Sequence, residues 1–303
     1  MSSDDPDKEY LKKLTVLYVE DDLDTRSSIE RILQPHVGNL VTAGNGSEGM
    51  TAFHNRLPDI VITDIMMPVM DGLTMAQKIR GTHRSVPIIV ISAFERSDYL
   101  LRAIEIGVTK FVTKPVITGL LMAALLECSH RLYAEERLRH LALYDELTDL
   151  PNRTLLKERL DMACSVADRN SEKVAMLFLD LDRFKEINDS YGHLAGDQVL
   201  KETAQRMKNL VRSCDTVCRL SGDEFLIVIT GVLNREDVAS TAKKMLDVLV
   251  QDIVIGDTHL KVTPSIGISI YPDNGTDMDS LIRTSDSAMY HAKQQGGAGF
   301  RFY

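Results

Sequence analysis

Five short runs rich in β-branched residues, at 14–19, 40–43, 59–63, 88–92 and 110–113, alternate with helical stretches in the first part of the chain. Strands covered on both faces read as continuous apolar runs, and linking each to the next through a helix makes them parallel. The pattern predicts a doubly wound α/β unit built on a five-stranded parallel sheet. Such a sheet collects its ligands at the carboxyl ends of the strands.

Polar side chains stand at those ends. Glu20, Asp21 and Asp22 follow the first run, Asp64 follows the third, Ser92 closes the fourth, and Lys114 follows the fifth just before Pro115. Clustered carboxylates bind a hard cation such as Mg²⁺, which offsets the charge of an incoming phosphoryl group. A hydroxyl and an ammonium beside them can stabilise a phosphorylated carboxylate. This ordered set resembles the receiver domain of bacterial two-component response regulators, a flavodoxin-like fold, over residues 14–130. The resemblance implies that Asp64 accepts a phosphoryl group from a sensor histidine kinase or phosphotransfer protein. It implies also that Glu20, Asp21 and Asp64 hold Mg²⁺, that Ser92 and Phe111 are the switch residues, and that Lys114 contacts the phosphoryl group. Met66-Met67-Pro68 and Asp71-Gly72 match the loop that family shows after its acceptor.

At 303 residues the chain is long enough for two such cores. A second α/β pattern runs from Asp145 to the C-terminus, with strand candidates at 174–179, 216–220, 225–230 and 260–270. Ser221-Gly222 lies between two of these runs as a hairpin turn, with the glycine supplying a positive φ. The first run delivers Asp180-Leu181-Asp182, and the turn is followed by Asp223-Glu224. Two acidic clusters at a strand end and a hairpin tip can coordinate one or two Mg²⁺ ions on a triphosphate.

The markers in this half are several and ordered. They are Asp145-Glu146-Leu147-Thr148-Asp149-Leu150-Pro151-Asn152-Arg153, Phe184-Lys185-Glu186-Ile187-Asn188-Asp189, Gly192-His193, Gly196-Asp197, Ser221-Gly222-Asp223-Glu224-Phe225 and Ser265-Ile266-Gly267-Ile268-Ser269. Together they closely resemble the GGDEF diguanylate cyclase family over residues 144–303, an α/β nucleotidyl-cyclase-like fold. The resemblance implies a phosphorylation-activated enzyme that condenses two GTP into cyclic di-GMP and two pyrophosphates across a homodimer. It makes Asp180 and Asp223 metal ligands for Mg²⁺, puts Glu224 at the reacting centre, gives Lys185 and Lys293 to the phosphates, and gives Asn188 and Asp197 to the guanine edge. Arg212-Ser213-Cys214-Asp215 matches the family's RxxD inhibitory site, so Arg212 and Asp215 are expected to bind the product. Two positions depart from the family pattern: Ser221 stands for its first glycine, and Gly297 falls where many members carry a phosphate-binding arginine.

Residues 116–143 join the two patterns, with Leu121, Leu125, Cys128, Leu132, Leu138 and Leu141 spaced as a helical stripe interrupted at Glu135. That stripe suits an amphipathic helix that pairs with a copy of itself, and residues 131–143 are read as a coiled-coil linker after the receiver. Residues 1–13 are read as a tail. A net charge of −9 with 44% hydrophobic residues argues against a bare nucleic-acid binder. The acidic start MSSDDPDKEY is unlike a signal peptide, and the apolar stretch at 116–126 is too short for a membrane helix, so a cytoplasmic location is expected, with no membrane partner. Cys128, Cys164, Cys214 and Cys218 show no metal spacing and are read as reduced packing residues, as is His193 as a packing or supporting histidine. Two other readings stay open: a cyclase-like domain that only senses GTP or cyclic di-GMP, and a DNA-binding regulator. The second lacks a basic recognition helix after the linker.

Overall fold

The computed structural model describes residues 6–93 and 97–303. The chain divides into two compact units, Met1–Arg137 and Leu138–Tyr303.

In the first unit the elements run α1 (Pro6–Leu11), β1 (Thr15–Val19), α2 (Leu23–Leu33), β2 (Asn39–Ala43), α3 (Gly46–Arg56), β3 (Ile60–Asp64), α4 (Gly72–Thr82), β4 (Ile88–Ser92), α5 (Ser97–Ile106), β5 (Lys110–Thr113) and α6 (Thr118–Leu143). The unit boundary falls within α6. The strands pair in parallel in the order β2-β1-β3-β4-β5, the flavodoxin-like order in which a crevice opens beyond the strand ends. Alternation sends Val16, Tyr18, Ile60, Ile62, Ile89 and Ile91 into one core and Leu17, Val19, Val61, Ile88 and Val90 into the other. Both faces are thereby covered.

The expected tail contains structure from residue 6 onward; residues 1–5 lie outside the described residues. Leu11 is buried in the same cluster as Leu33, Leu125 and Cys128. The Tyr10 hydroxyl donates to Glu136 Oε2 at 2.5 Å, the Tyr10 and Tyr133 rings lie 5.3 Å apart, and Ser129 Oγ donates to the Asp7 carbonyl at 2.8 Å. Helix α1 thus packs on α6. The apolar stripe of α6 is accordingly divided: Leu121, Leu125 and Cys128 are buried in the receiver-like core, whereas Leu138 is 66% exposed. Periodicity read all of them as one pairing seam; burial assigns the first three to their own unit.

The second unit runs α7 (Arg153–Asn170), β6 (Lys173–Leu181), α8 (Phe184–Tyr191), α9 (His193–Leu210), β7 (Thr216–Ser221), β8 (Glu224–Val232), α10 (Arg235–Leu249), β9 (Ile253–Ile255), β10 (Thr258–Leu260), β11 (Pro264–Tyr271), α11 (Met278–Gln294) and β12 (Phe300–Phe302). Its sheet has the order β12-β11-β6-β8-β7, with β6 antiparallel to both of its neighbours. The single strand expected at 260–270 is two strands: β10 ends at Leu260 and β11 begins at Pro264. Proline has no N–H for a ladder and so marks a first strand residue. Among the described residues no helix is long and apolar enough to cross a membrane.

Candidate functional site

Two acidic sites stand at sheet edges, one in each unit. In the first, β1 delivers Glu20 and β3 ends at Asp64, both buried, with the exposed Asp21 beside them. One carboxylate oxygen from each of the three lies within 4.8 Å of the others. Lys114, after β5, donates from Nζ to Asp64 Oδ2 at 2.6 Å and to Glu20 Oε2 at 3.0 Å. Asp64 Oδ1 accepts the Ile65 N–H at 2.7 Å, and Glu20 Oε2 accepts the Tyr18 hydroxyl at 3.3 Å.

Burial of Glu20, which is 1% exposed, pushes its carboxyl above the ordinary value; Asp64 adds to this and Lys114 opposes it. Burial opposes the Lys114 ammonium, but its bonds to Asp64 and Glu20 outweigh that and hold it above the usual lysine value. A cavity of about 390 Å³ opens over Asp64, Ser92, Tyr99 and Lys114. Phe111 is half-buried against the core on the Leu17 side of the sheet. Asp71 caps α4, accepting the Thr74 N–H at 2.8 Å. The all-oxygen carboxylate set fits a hard divalent cation such as Mg²⁺.

In the second site an antiparallel register does the gathering. Asp180 near the end of β6 lies opposite Glu224 at the start of β8, and the Leu181 N–H donates to the Asp223 carbonyl at 3.3 Å. Lys293, in the last turn of α11, donates to Asp180 Oδ1 at 2.5 Å. Burial raises Asp180 above the ordinary carboxyl value; the Lys293 bond opposes this, and Asp223 and Glu224 reinforce it. Gly222 carries the positive φ of the turn, 48°, whereas Ser221 has an ordinary negative φ. Ser221 Oγ donates to Glu224 Oε2 at 2.8 Å. The serine therefore sits on strand backbone and contacts one of the acidic residues. Asp180, Asp223 and Glu224 bring carboxylates, the oxygen donors that suit Mg²⁺, to this end of the sheet, but unlike those of the first site their oxygens do not all lie within 4.8 Å of one another.

Asn188 on α8 lies against the first turn of α9, the turn before Asp197. Asn188 Oδ1 lies so close to Gly196 that a Cβ there would stand 2.0 Å from it, and Asp197 is the next residue. Lys185 is exposed in the first turn of α8.

Arg212 and Asp215 differ from each other. The Arg212 side chain is exposed, but Asp215 is 9% exposed and its carboxylate accepts the Arg212 N–H at 3.1 Å and the Thr230 N–H at 3.0 Å. Its Oδ2 takes the Arg212 N–H alone among these donors, which leaves a further lone pair there. Two readings are corrected here. Cys214 and His193 are exposed, so neither is a packing residue, while Cys128 and Cys218 are buried.

One group escaped the sequence reading, and a second was read only as part of an acidic cluster. Arg219 forks to both Asp145 oxygens at 3.0 and 3.1 Å and also donates to the Gly222 carbonyl at 2.8 Å, tying the start of the unit to the hairpin. Asp182 accepts from Ser265, Thr263 and the Ala298 N–H. An arginine two residues before the turn, beside so many acids, was the available signal for the first.

A parallel-sheet unit with a lysine-bridged acidic crevice is thus followed by an antiparallel-centred α/β unit with an acidic hairpin. The family comparisons agree: the model for "Diguanylate cyclase, GGDEF domain" matches residues 142–298, and that for "Response regulator receiver domain" matches 16–126. The chain belongs to the GGDEF family and carries a response-regulator receiver domain ahead of its GGDEF domain. Response regulator PleD of Caulobacter vibrioides is 30% identical over 249 residues, covering 78% of this chain and 55% of PleD. The bifunctional diguanylate cyclase/cyclic di-GMP phosphodiesterase MucR of Pseudomonas aeruginosa is 44% identical over 172 residues, covering 56% of this chain and 25% of MucR. This chain thus spans about a quarter to about half the length of these curated relatives. Among solved structures, the coiled coil and GGDEF domain of DgcB from Caulobacter crescentus, in complex with c-di-GMP, matches with a TM-score of 0.54 at 25% identity, covering 61% of this chain and 98% of that one. The GGDEF domain of TpbB from Pseudomonas aeruginosa matches with a TM-score of 0.51 at 38% identity, covering 52% and 93%.

Proposed function

We propose that this chain is a phosphorylation-activated diguanylate cyclase, joining two GTP into cyclic di-GMP and two pyrophosphates in a homodimer. The observation that carries the reading is the convergence of Asp180, Asp223, Glu224 and Lys293 at one sheet edge, in a chain that also holds the Asn188–Asp197 pair and the acidic crevice of a receiver. Names of the relatives support the same chemistry.

Asp180 and Asp223 would hold Mg²⁺, which when bound offsets charge on the triphosphate. Lys293 and Lys185 pair with phosphate oxygens, and Glu224 faces the reacting centre. Asn188 and Asp197 select guanine, since a carboxylate acceptor complements the ring N–H and exocyclic amine that adenine does not offer there. Each 3′-hydroxyl attacks the α-phosphate held by the partner subunit, so most of the rate comes from positioning two half-sites. Arg212 forks to a phosphate of the product while Asp215 Oδ2 accepts from its guanine, which gives feedback.

In the receiver Asp64 accepts the phosphoryl group from a sensor histidine kinase or phosphotransfer protein, and Glu20, Asp21 and Asp64 would hold a Mg²⁺ that offsets the charge of that group. Lys114 then exchanges a carboxylate for the phosphoryl oxygens, and Ser92 and Phe111 move with it. Residues 14–130 serve as receiver, 131–143 as linker and 144–303 as cyclase. A weak cyclase that mainly binds nucleotide is the second reading, favoured by Gly297, whose N–H is bonded to the Ala292 carbonyl at 3.3 Å where other members offer an arginine.

Incubating the purified chain with GTP and Mg²⁺, with and without beryllofluoride, and separating the products tests both. Cyclic di-GMP is expected in each case and more of it with beryllofluoride. Bound GTP without any cyclic product selects the second reading.

A further inference from the structure

We propose that Asp182 is a positioning residue that holds Lys293 against Asp180, and is not a third metal ligand of the acidic hairpin. The inference rests on the cyclase reading and deepens it. Asp180-Leu181-Asp182 reads as a pair of ligands, because alternate residues of a strand share a face. The hydrogen bonds divide the two. Asp180 meets Lys293, whereas Asp182 Oδ1 accepts the Ser265 hydroxyl at 2.7 Å, and its Oδ2 accepts the Thr263 hydroxyl at 2.8 Å and the Ala298 N–H at 3.0 Å. The Asp182 N–H completes the knot by donating to the Thr263 carbonyl at 2.7 Å. Three donors on two oxygens turn this carboxylate toward β11 and the chain after α11.

That chain follows directly on the last turn of α11, which carries Lys293. Three consecutive residues after the helix are left-handed, Gly296 at φ 113°, Gly297 at 71° and Ala298 at 53°. The Gly296 N–H donates to the Lys293 carbonyl at 3.1 Å, and the Gly297 N–H to the Ala292 carbonyl at 3.3 Å, so loop and helix end form one hydrogen-bonded piece. A non-glycine residue in the left-handed region costs roughly 1 kcal/mol or more, so Ala298 needs a partner to hold it there. Asp182 is that partner. Contact is close enough that a Cβ on Gly297 would stand 2.8 Å from Asp182 Oδ2, so in this conformation the loop leaves no room for the arginine other members carry. With backbone and carboxylate locked together, the position of the Lys293 ammonium at the phosphates depends on Asp182.

The test is a double-mutant cycle in the full chain. Asp182→Ala should raise KM for GTP by about tenfold with the Mg²⁺ activation midpoint unchanged, and should add nothing to Lys293→Ala, because it acts through that lysine. Asp182→Asn should stay within about threefold of wild type, since an amide oxygen still accepts the Ala298 N–H and the serine and threonine hydroxyls can rotate to accept from its NH₂. Where Asp182→Ala fails to fold, Ser265→Ala takes its place, with a smaller rise in KM that vanishes in the Lys293→Ala background. A raised Mg²⁺ requirement in Asp182→Asn would make Asp182 a metal ligand and overturn the proposal. So would KM effects of Asp182 and Lys293 that multiply. Should the wild type make no cyclic product, the cyclase reading fails separately. The cycle is then read on the Kd for GTP with Mg²⁺ by calorimetry, where coupling supports the proposal and its absence, or the absence of GTP binding, overturns it.

Discussion

Both units set a lysine against buried carboxylates, but the two sheets do it differently. In the receiver Lys114 bridges two acids, Glu20 and Asp64, delivered by neighbouring parallel strands. In the GGDEF unit Lys293 meets Asp180 at the end of β6, while Asp223 and Glu224 arrive from a hairpin running the other way. A parallel sheet presents its strand ends along one edge, so a site there needs only short excursions from the sheet. An antiparallel sheet must combine a strand end with a turn, and it borrows its cation from a helix more than a hundred residues away in sequence, at a separation of 113. Both lysines come from far along the chain, 94 residues from Glu20 in the first site and 113 from Asp180 in the second, so the sites differ in the element that delivers the lysine: a strand end of the same sheet in one, a covering helix in the other.

The largest expected effect separates the two sites by chemistry. Asp180→Ala or Asp223→Ala should reduce cyclic di-GMP formation by ~100-fold or more, which corresponds to about 2.7 kcal/mol of transition-state stabilisation. Asp64→Asn should keep the basal rate and lose the response to beryllofluoride. Turnover measured at matched Mg²⁺ for all three decides: a basal rate that falls with Asp64→Asn as far as with Asp180→Ala would mean that the receiver carboxylate is needed for the chemistry itself.

How the two sites could be foreseen follows the same division. All five receiver strands lie within a residue of the positions read from sequence, as at 14–19 against Thr15–Val19, because burial on both faces writes an unbroken apolar run. Residues 20, 64, 92 and 114 then had to meet at one edge. In the GGDEF unit the acids were visible, but their fastenings were not. The partners of Asp182 lie 81, 83 and 116 residues away, beyond any local periodicity. The helical stripe of α6 was legible as a stripe, yet spacing alone cannot say whether Leu121 and Leu125 face their own core or a second copy. Helix α1 was missed because a polar, acidic segment offers little apolar signal apart from Tyr10 and Leu11.

A middle-sized effect tests the fastening of the hairpin. The Asp145 carboxyl is opposed by burial, but bonds from Thr148 and Arg219 outweigh this and hold it below the ordinary value. A carboxylate with a depressed folded pKa adds stability above its unfolded pKa of roughly 4, and that stability is lost as pH falls through the folded value. Asp145→Asn should therefore cost about 2 kcal/mol at pH 7, a figure reduced for the partial exposure of the pair. The difference from wild type should shrink as pH falls below roughly 4 and through the depressed folded value, below which both side chains are neutral. Urea titration over a descending pH series, followed by hydrogen exchange on peptides covering β7 and β8, reads it, and a difference that never diminishes as pH falls would assign the cost to packing instead of charge.

The smallest effect concerns the serine at the head of the turn. Were residue 221 the left-handed position, restoring the family glycine would relieve strain and speed the reaction. The backbone argues otherwise: β7 runs through Ser221, which pairs with Glu224, and the positive φ belongs to Gly222. Ser221→Gly then removes the 2.8 Å bond to Glu224 and frees a strand residue, each worth some tenths of a kcal/mol to about 1 kcal/mol at an exposed site. The variant should lose a little stability and turn over within about threefold of wild type. A tenfold gain in turnover at unchanged stability would place the limit on the serine side chain, and would mean that its hydrogen bond restrains Glu224 away from the geometry the reaction uses.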